Sequence, residues 1–191
     1  MLTQSGYGEQ SRFALRSLRS RPDLFDIYIV NTGWGNTGHM ATQTELVQWI
    51  TQNLTKTAQY IQATNNQPNF DLSVQVTIPN EFETMALENI GYTAGIETTK
   101  IAPQWIEKCN EMSGIITISA HSQKVLQNTS YTATNGQTGE QVEGWCIHHS
   151  VQQVGYPVRE AEPEPLDIEF TTTKNFLAVS QWGTRKNLDN T

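Results

Sequence analysis

Cysteine, charge and long apolar runs are all scarce in this chain of 191 residues. Its two cysteines, Cys109 and Cys146, are too few for a disulfide framework. No apolar run approaches the roughly 20 residues that a membrane-spanning helix needs, and no secretory signal pattern opens the sequence. Charged residues make up only 16% of the chain, so a polar and largely neutral surface is expected. A reducing cytoplasm is therefore the expected location.

The charge balance is acidic. The chain has 12 Lys and Arg against 19 Asp and Glu, which gives a formal net charge of −7. Because the phosphate backbone of a nucleic acid is bound by a cationic face, no nucleic-acid partner is expected. Four arginines near the amino terminus recur at helical spacing, which is typical of a solvated helix face: Arg12, Arg16, Arg19 and Arg21.

Apolar segments of strand type alternate along the chain with segments of helix type. Apolar residues at helical spacing predict helices at residues 9–19, 44–63, 103–112 and 121–130. Short apolar runs predict strands at residues 25–30, 72–78, 89–96, 114–119, 150–154 and 175–180. This alternation predicts an α/β fold with a Rossmann-like, mostly parallel sheet and helices on both faces. Ligands are then expected beyond the carboxyl ends of the strands.

Glycines and a tyrosine open the first predicted helix. Gly6, Tyr7 and Gly8 lie where the amino end of a helix presents unpaired N–H groups, which suit phosphate or sugar oxygens. The segment is not a Walker loop, because no Gly-Lys-Ser/Thr follows it. It is not a full dinucleotide fingerprint either, because Ser11 stands at the third glycine position. A tight turn without a ligand explains the pattern equally well.

Two more polar segments lie at the ends of predicted strands. Glu97 is placed to accept a sugar hydroxyl or to cap the next element. His121 follows a strand-to-helix junction at which Ser119 alone suits an N-cap, and it is a candidate ligand contact. A serine nucleophile is not predicted, because the Gly-x-Ser-x-Gly turn is lacking. The catalytic residues therefore stay unassigned.

A thiol and two histidines, Cys146, His148 and His149, raise the question of a metal site. Adjacent side chains on a strand point to opposite faces, so the two histidines would not converge. Further ligands are lacking unless Cys109 or His39 lies nearby. We therefore expect no metal and no cofactor.

The last residues read as a strand, a turn and the start of a helix. The turn carries Arg185 and Lys186, which form a candidate diphosphate clamp next to orphan N–H groups, with a solvated pair as the alternative. The acidic, proline-bearing stretch at residues 159–169 is a candidate linker. We expect an amino-terminal Rossmann-like domain at residues 1–169 and a truncated start of a second domain at residues 170–191.

Four segments, in their order along the chain, resemble glycosyltransferases of family 4, the group 1 transferases with the two-domain GT-B fold. They are residues 5–12, 90–105, 115–122 and 176–188. In turn they resemble the family's first glycine loop, its acceptor-facing stretch, its strand followed by an S-x-x-S segment, and the start of its donor domain. In the last of these, Ser180 and Thr184 replace the usual glycine and proline.

The resemblance implies an acceptor-side domain whose candidate contacts are Gly6, Tyr7, Gly8, Tyr92, Glu97 and His121. It implies that Arg185 and Lys186 hold the donor diphosphate without a metal. The parent enzyme would transfer a sugar from a nucleotide-sugar donor to an acceptor hydroxyl of a carbohydrate, lipid or protein. The family's strand before the glycine loop is lacking, because residues 1–4 are too few to form it, and so is its E-x7-E element. The fragment alone is therefore expected to be inactive.

A non-catalytic domain is the alternative. It would bind a carbohydrate or nucleotide, or mediate assembly through an exposed sheet edge. Without the usual first strand, backbone groups at a sheet edge lack partners. We therefore expect residues 175–180 to pair with the amino-terminal sheet of the same chain or of a neighbouring chain, which would give a homo-oligomer.

Overall fold

The computed structural model describes residues 1–33, 38–40, 44–136, 138–158, 160, 162–165 and 167–179. The chain divides into two units, Met1–Pro157 and Val158–Thr191, and each is described by itself. Every helix and strand found in the described ranges belongs to the first unit. None of these helices is both long and apolar enough to cross a membrane.

The strands of the first unit form a parallel sheet and a separate hairpin. In chain order they are β1 (Leu72–Val76), β2 (Glu88–Thr93), β3 (Gly114–Thr117), β4 (Tyr131–Thr134), β5 (Gln141–Trp145) and β6 (Val151–Gln153). The sheet is parallel throughout, in the order β1-β2-β3-β6, and β4 pairs with β5 in antiparallel fashion. The predicted α/β class with a mostly parallel, Rossmann-like sheet is thus confirmed. Before the first helix, Thr3 makes only an isolated bridge to His39 in the described part of the chain.

The helices begin at residues whose side chains suit a helix start. They are α1 (Gly6–Arg19), α2 (Glu45–Ala63), α3 (Pro103–Asn110) and α4 (Ala120–Asn128). The hydroxyls of Ser5, Thr44 and Ser119 each accept a hydrogen bond from an N–H group in the first turn of α1, α2 and α4. Helix α3 has no side-chain cap: Pro103 at its first position has no N–H group to satisfy, and the N–H of Trp105 donates to the carbonyl of Ala102 at 3.0 Å.

Two apolar clusters hold the first unit together. The larger one joins β3 to α3, α4 and the short 3-10 turn that follows β1, and its most buried members are Phe82, Ile101, Ile106, Cys109, Met112, Ile115 and Leu126. Glycine at position 91 lets the Phe82 ring lie against β2, because a Cβ there would overlap that ring. Alternation along β2 then turns Tyr92 to the opposite face of the sheet. The smaller cluster joins α1 and α2 through Leu15, Ile29 and Ile50.

The strand prediction for residues 25–30 is wrong. Within the described ranges the segment pairs with no strand, and two of its backbone groups are bonded by side chains of α2 instead. The N–H of Ile29 donates to Thr57 Oγ1 at 2.8 Å, and the carbonyl of Ile27 accepts from Lys56 Nζ at 3.2 Å. The apolar pattern therefore reflects burial against a helix, with Ile29 only 3% exposed.

The described part of the second unit contains no helix or strand. Phe176, Leu177 and Val179 are 96%, 90% and 86% exposed. The predicted strand at residues 175–180 is therefore wrong for residues 175–179, and its expected pairing within the same chain is not formed there. The apolar pattern of a segment does not make it a strand, because a strand needs a neighbouring strand to bond its N–H and C=O groups. Without one, water bonds these groups. The predicted boundary between residues 169 and 170 stays a prediction.

Candidate functional site

Three buried threonines mark the carboxyl ends of β1, β2 and β3. Thr77 follows β1, and Thr93 and Thr117 are paired in register at the ends of β2 and β3. Their exposed fractions are 5%, 0% and 0%. The Thr77 hydroxyl donates to Glu81 Oε2 at 2.6 Å. Because ligands of open α/β sheets bind beyond this end of the strands, the threonine row indicates where a site would lie.

Helix α1 places Tyr7 against the end of β2. The Tyr7 hydroxyl shares a hydrogen bond of 3.0 Å with Thr93 Oγ1 and accepts from the N–H of Ala94 at 3.3 Å. Burial raises the pKa of Tyr7, and the hydrogen bond to Thr93 offsets part of that effect. The side chain is therefore a neutral phenol at neutral pH. It links the predicted glycine loop directly to the polar segment after β2.

The two glycines of that loop have different surroundings. A Cβ on Gly8 would overlap the backbone carbonyl of Thr3, so this glycine allows the amino-terminal segment to lie close to α1. Arg12, one turn further on, holds the same segment by donating to the carbonyls of Met1 and Thr3 at 2.6 and 3.0 Å. Gly6 has nothing within 4 Å of its Cβ position. Of the two, Gly6 leaves the helix start open to a ligand, and Gly8 has a packing role.

The loop after β2 is seated on the start of α4. Gly95 has a φ of +80°, and a Cβ there would overlap the side chain of Ser122 and lie 3.1 Å from Thr117 Oγ1. Further along, His121 Nε2 lies 3.2 Å from the carbonyl oxygen of Thr98. The second and third predicted segments therefore meet, and the predicted contacts Glu97 and His121 lie at their exposed rim.

Two fully buried side chains at this end of the sheet have polar atoms without a hydrogen-bond partner in the described ranges. They are Gln10, through Nε2, and Thr117, through Oγ1, and both residues are 0% exposed. Leaving such a group unpaired costs about 1–3 kcal/mol, so native proteins keep few of them. The other amide atom of Gln10, Oε1, accepts from the hydroxyl of Tyr156 at 2.9 Å.

We call these residues together the carboxyl-end site: Tyr7, Gln10, Thr93, Thr117 and Tyr156. The site offers hydroxyl and amide groups, which exchange hydrogen bonds with hydroxylated ligands and carry no charge. The predicted residue Tyr92 lies beside it, only 6% exposed, and burial raises its pKa. The site combines no obvious nucleophile with a base, so its groups are suited to binding and orienting a ligand.

Of the residues in the carboxyl-end site, the sequence had selected only Tyr7 as a candidate ligand contact, together with the neighbouring Tyr92. It did not single out Gln10, Thr93, Thr117 or Tyr156. A signal for Thr117 was present, because a threonine ends or follows each of the first three strands. Gln10 lies three residues after Tyr7 and so shares its helix face. Tyr156 had no usable signal, since it contacts a residue 146 positions earlier in the chain.

The segment with Cys146, His148 and His149 is docked on α3 through Asn110. Asn110 Nδ2 donates to the carbonyl of Cys146 at 3.0 Å, and Asn110 Oδ1 accepts from the N–H of His148 at 2.9 Å. Neither Cys109 nor His39 joins it in a metal-ligating group: within the ranges that the structure describes, no three His, Cys, Asp or Glu side chains are arranged to hold a metal.

A cavity of about 370 Å³ lies away from the carboxyl-end site, between the end of α1 and α2. The Arg19 guanidinium in its wall stacks on Trp49 at 4.9 Å and pairs with Glu45 at 2.7 Å. The positive charge of Arg19 is thus already paired within the protein. None of the residues predicted to bind a ligand lines this cavity. The remaining predicted pair, Arg185 and Lys186, lies outside the described residues.

Comparison with known proteins gives no relative from which function could be transferred. No protein-family model matches the chain, and no curated protein or solved structure is significantly similar to it. Its function is therefore inferred from the carboxyl-end site and from the motif resemblance described above.

Proposed function

We propose that the first unit is the acceptor-binding domain of a glycosyltransferase, which transfers a sugar from a nucleotide-sugar donor to an acceptor hydroxyl. One observation carries the proposal: Tyr7 of the glycine loop shares a hydrogen bond with Thr93, which is 86 residues away in the sequence. Two segments that resemble separate family-4 motifs therefore meet at the carboxyl end of one sheet. The third segment joins them through the contact between Gly95 and Ser122.

The chemistry of the carboxyl-end site supports a hydroxylated ligand. Its groups are neutral donors and acceptors, and two of them are buried without partners among the described residues. A ligand that supplies those partners removes the cost of leaving them unpaired. Catalysis would then rest on positioning and on electrostatic stabilisation of the leaving diphosphate. We assign that last role to Arg185 and Lys186 on the motif resemblance alone.

The proposed location is the cytoplasm. Both cysteines are free, and Cys109 is fully buried in the larger apolar cluster. Free thiols are maintained in a reducing compartment, so two unpaired cysteines favour the cytoplasm.

Binding of simple glycosides tests the proposed function. The probes are the methyl pyranosides of glucose, galactose and mannose, followed by saturation-transfer NMR on the 191-residue protein. Tyr7→Phe removes the hydroxyl that reaches Thr93 and Ala94, and we expect the affinity of a bound glycoside to fall by about tenfold, as for a lost hydrogen bond in a buried site.

Tyr60→Phe is the matched control, because its hydroxyl donates to the carbonyl of Asn69 at 3.2 Å and its ring packs on Tyr28 and Phe70, away from the site. It should leave glycoside binding unchanged. Absence of binding to every glycoside, or equal affinity in both variants, would contradict an acceptor site at this end of the sheet.

Assembly is a second candidate function, favoured by the exposure of Phe176, Leu177 and Val179. An apolar extended segment can add to the free edge of a sheet in a neighbouring copy. We expect light scattering to show a homo-oligomer that Leu177→Asp dissociates, with Thr173→Asp as the control. A monomeric wild-type chain would exclude this function.

A further inference from the structure

Tyr156 covers Gln10 at the carboxyl-end site. The chain leaves β6 through Val154, whose N–H donates to the carbonyl of Thr117 at 2.8 Å. Two residues later the Tyr156 ring lies 6.4 Å from the ring of Phe13 on α1. Tyr156 is 42% exposed, whereas Gln10 beneath it is 0% exposed. The Tyr156 side chain therefore reaches from the surface to the buried Gln10 amide, which its hydroxyl contacts at 2.9 Å.

The Gln10 amide is only half satisfied by this contact. The Tyr156 hydroxyl bonds Oε1 at 2.9 Å, and Nε2 has no partner in the described part of the chain. Exchanging the two amide atoms does not help, because a hydroxyl that accepts from Nε2 leaves Oε1 unpaired. One phenol hydroxyl reaches one atom of a carboxamide, whichever way the amide is turned.

The surroundings of Tyr156 are those of the site itself. Burial raises the pKa of Tyr156, and the nearby hydroxyls of Tyr92 and Tyr7 raise it further. Tyr156 is therefore a neutral phenol at neutral pH, packed beside the two tyrosines that sequence reasoning had already selected. An aromatic ring with one hydroxyl occupies the space next to the unpaired amide.

We propose that Gln10 binds two neighbouring hydroxyls of a sugar ring, and that the Tyr156 phenol is a built-in substitute which the sugar displaces. This inference rests on the proposed acceptor site and names the group that it recognises. A vicinal diol matches a carboxamide because one hydroxyl donates to Oε1 while its neighbour accepts from Nε2. The displaced phenol loses one hydrogen bond and regains it from water, because Tyr156 is already partly exposed.

Three variants of the full chain test the inference with the methyl pyranosides as probes. Tyr156→Phe removes the competing hydroxyl and keeps the ring, and we expect the dissociation constant to fall by about two- to tenfold. Gln10→Leu removes both amide atoms and should raise the dissociation constant at least about tenfold. Tyr60→Phe, whose hydroxyl lies outside the site, should leave it unchanged. The same glycosides with all ring hydroxyls methylated should not bind.

Thermal unfolding of each variant separates recognition from structural support. Gln10→Leu removes one hydrogen bond from Tyr156 together with one unpaired N–H group, and these effects oppose each other, so its midpoint should stay within a few degrees of wild type. If it does not fold, Gln10→Glu, which lacks the amide donor, takes its place. Glycoside binding that both Gln10 variants and Tyr156→Phe leave unaltered overturns the inference while the proposed function stands. A lowered midpoint of Tyr156→Phe with unchanged affinity also overturns it. If no protein binds any glycoside, the inference fails together with the proposed function.

Discussion

Replacing Gly95 by alanine probes how the loop after β2 is seated on α4. Gly95 has a φ of +80°, and this left-handed conformation costs a residue with a Cβ about 1–2 kcal/mol. The added Cβ would also overlap the side chain of Ser122, and overpacking of this kind costs about 1–3 kcal/mol. Together these effects predict that Gly95→Ala lowers the free energy of unfolding by about 2–5 kcal/mol.

Gly139 provides a control that separates the two costs. It has a similar φ of +72°, but nothing lies within 4 Å of its Cβ position. Gly139→Ala should therefore lose only the backbone contribution, about 1–2 kcal/mol. Urea denaturation followed by circular dichroism gives both free energies, provided that the slopes with denaturant agree. Equal losses in the two variants would refute the close contact between Gly95 and Ser122.

Three further predictions concern single side chains. Ser5→Ala removes the N-cap that accepts from the N–H of Gly8, and urea denaturation should show a loss of about 1 kcal/mol; an unchanged midpoint would contradict this cap. Burial raises the pKa of Tyr7 above its ordinary value of 10.0, so the stability it contributes is present below that pH and is lost as the pH rises through the folded pKa. The urea midpoint should therefore fall less steeply in alkali for Tyr7→Phe than for wild type, and parallel curves would argue against a buried phenol. Burial raises the pKa of Cys109 to about 12, so iodoacetamide near neutral pH should modify Cys146 first in the folded protein, and mass spectrometry showing the reverse order would contradict the packing of Cys109.

Local sequence signals were enough for most of the fold. The helix predicted at residues 44–63 from its apolar stripe is observed as Glu45–Ala63, with Thr44 capping its start. The segment at residues 25–30 failed for a physical reason: an apolar run indicates burial, and it does not say whether a strand or a helix provides the hydrogen bonds. Here Thr57 of α2 provides one of them, and no local pattern identifies that partner.

The site was predictable only where it is built from helix starts and strand ends. Tyr7 and Tyr92 lie in such positions, and the parallel sheet brings them to one end. Gln10 was not recognised, because a glutamine on a helix is ordinarily a surface residue and its burial depends on what packs against it. That neighbour, Tyr156, lies beyond β6, so the contact depends on the tertiary fold of the first unit.

The span between Gln10 and Tyr156 also bears on when the site forms during synthesis. The parallel strands are neighbours in the order in which they are made, so the sheet can grow from β1 towards β6 as the chain emerges. At about 5–20 residues per second, the 146 residues between the two side chains take roughly 7–30 s to translate. Until then the Gln10 amide has no cover from Tyr156. A contact between α1 and the segment after β6 therefore cannot form until nearly the whole first unit has been synthesised.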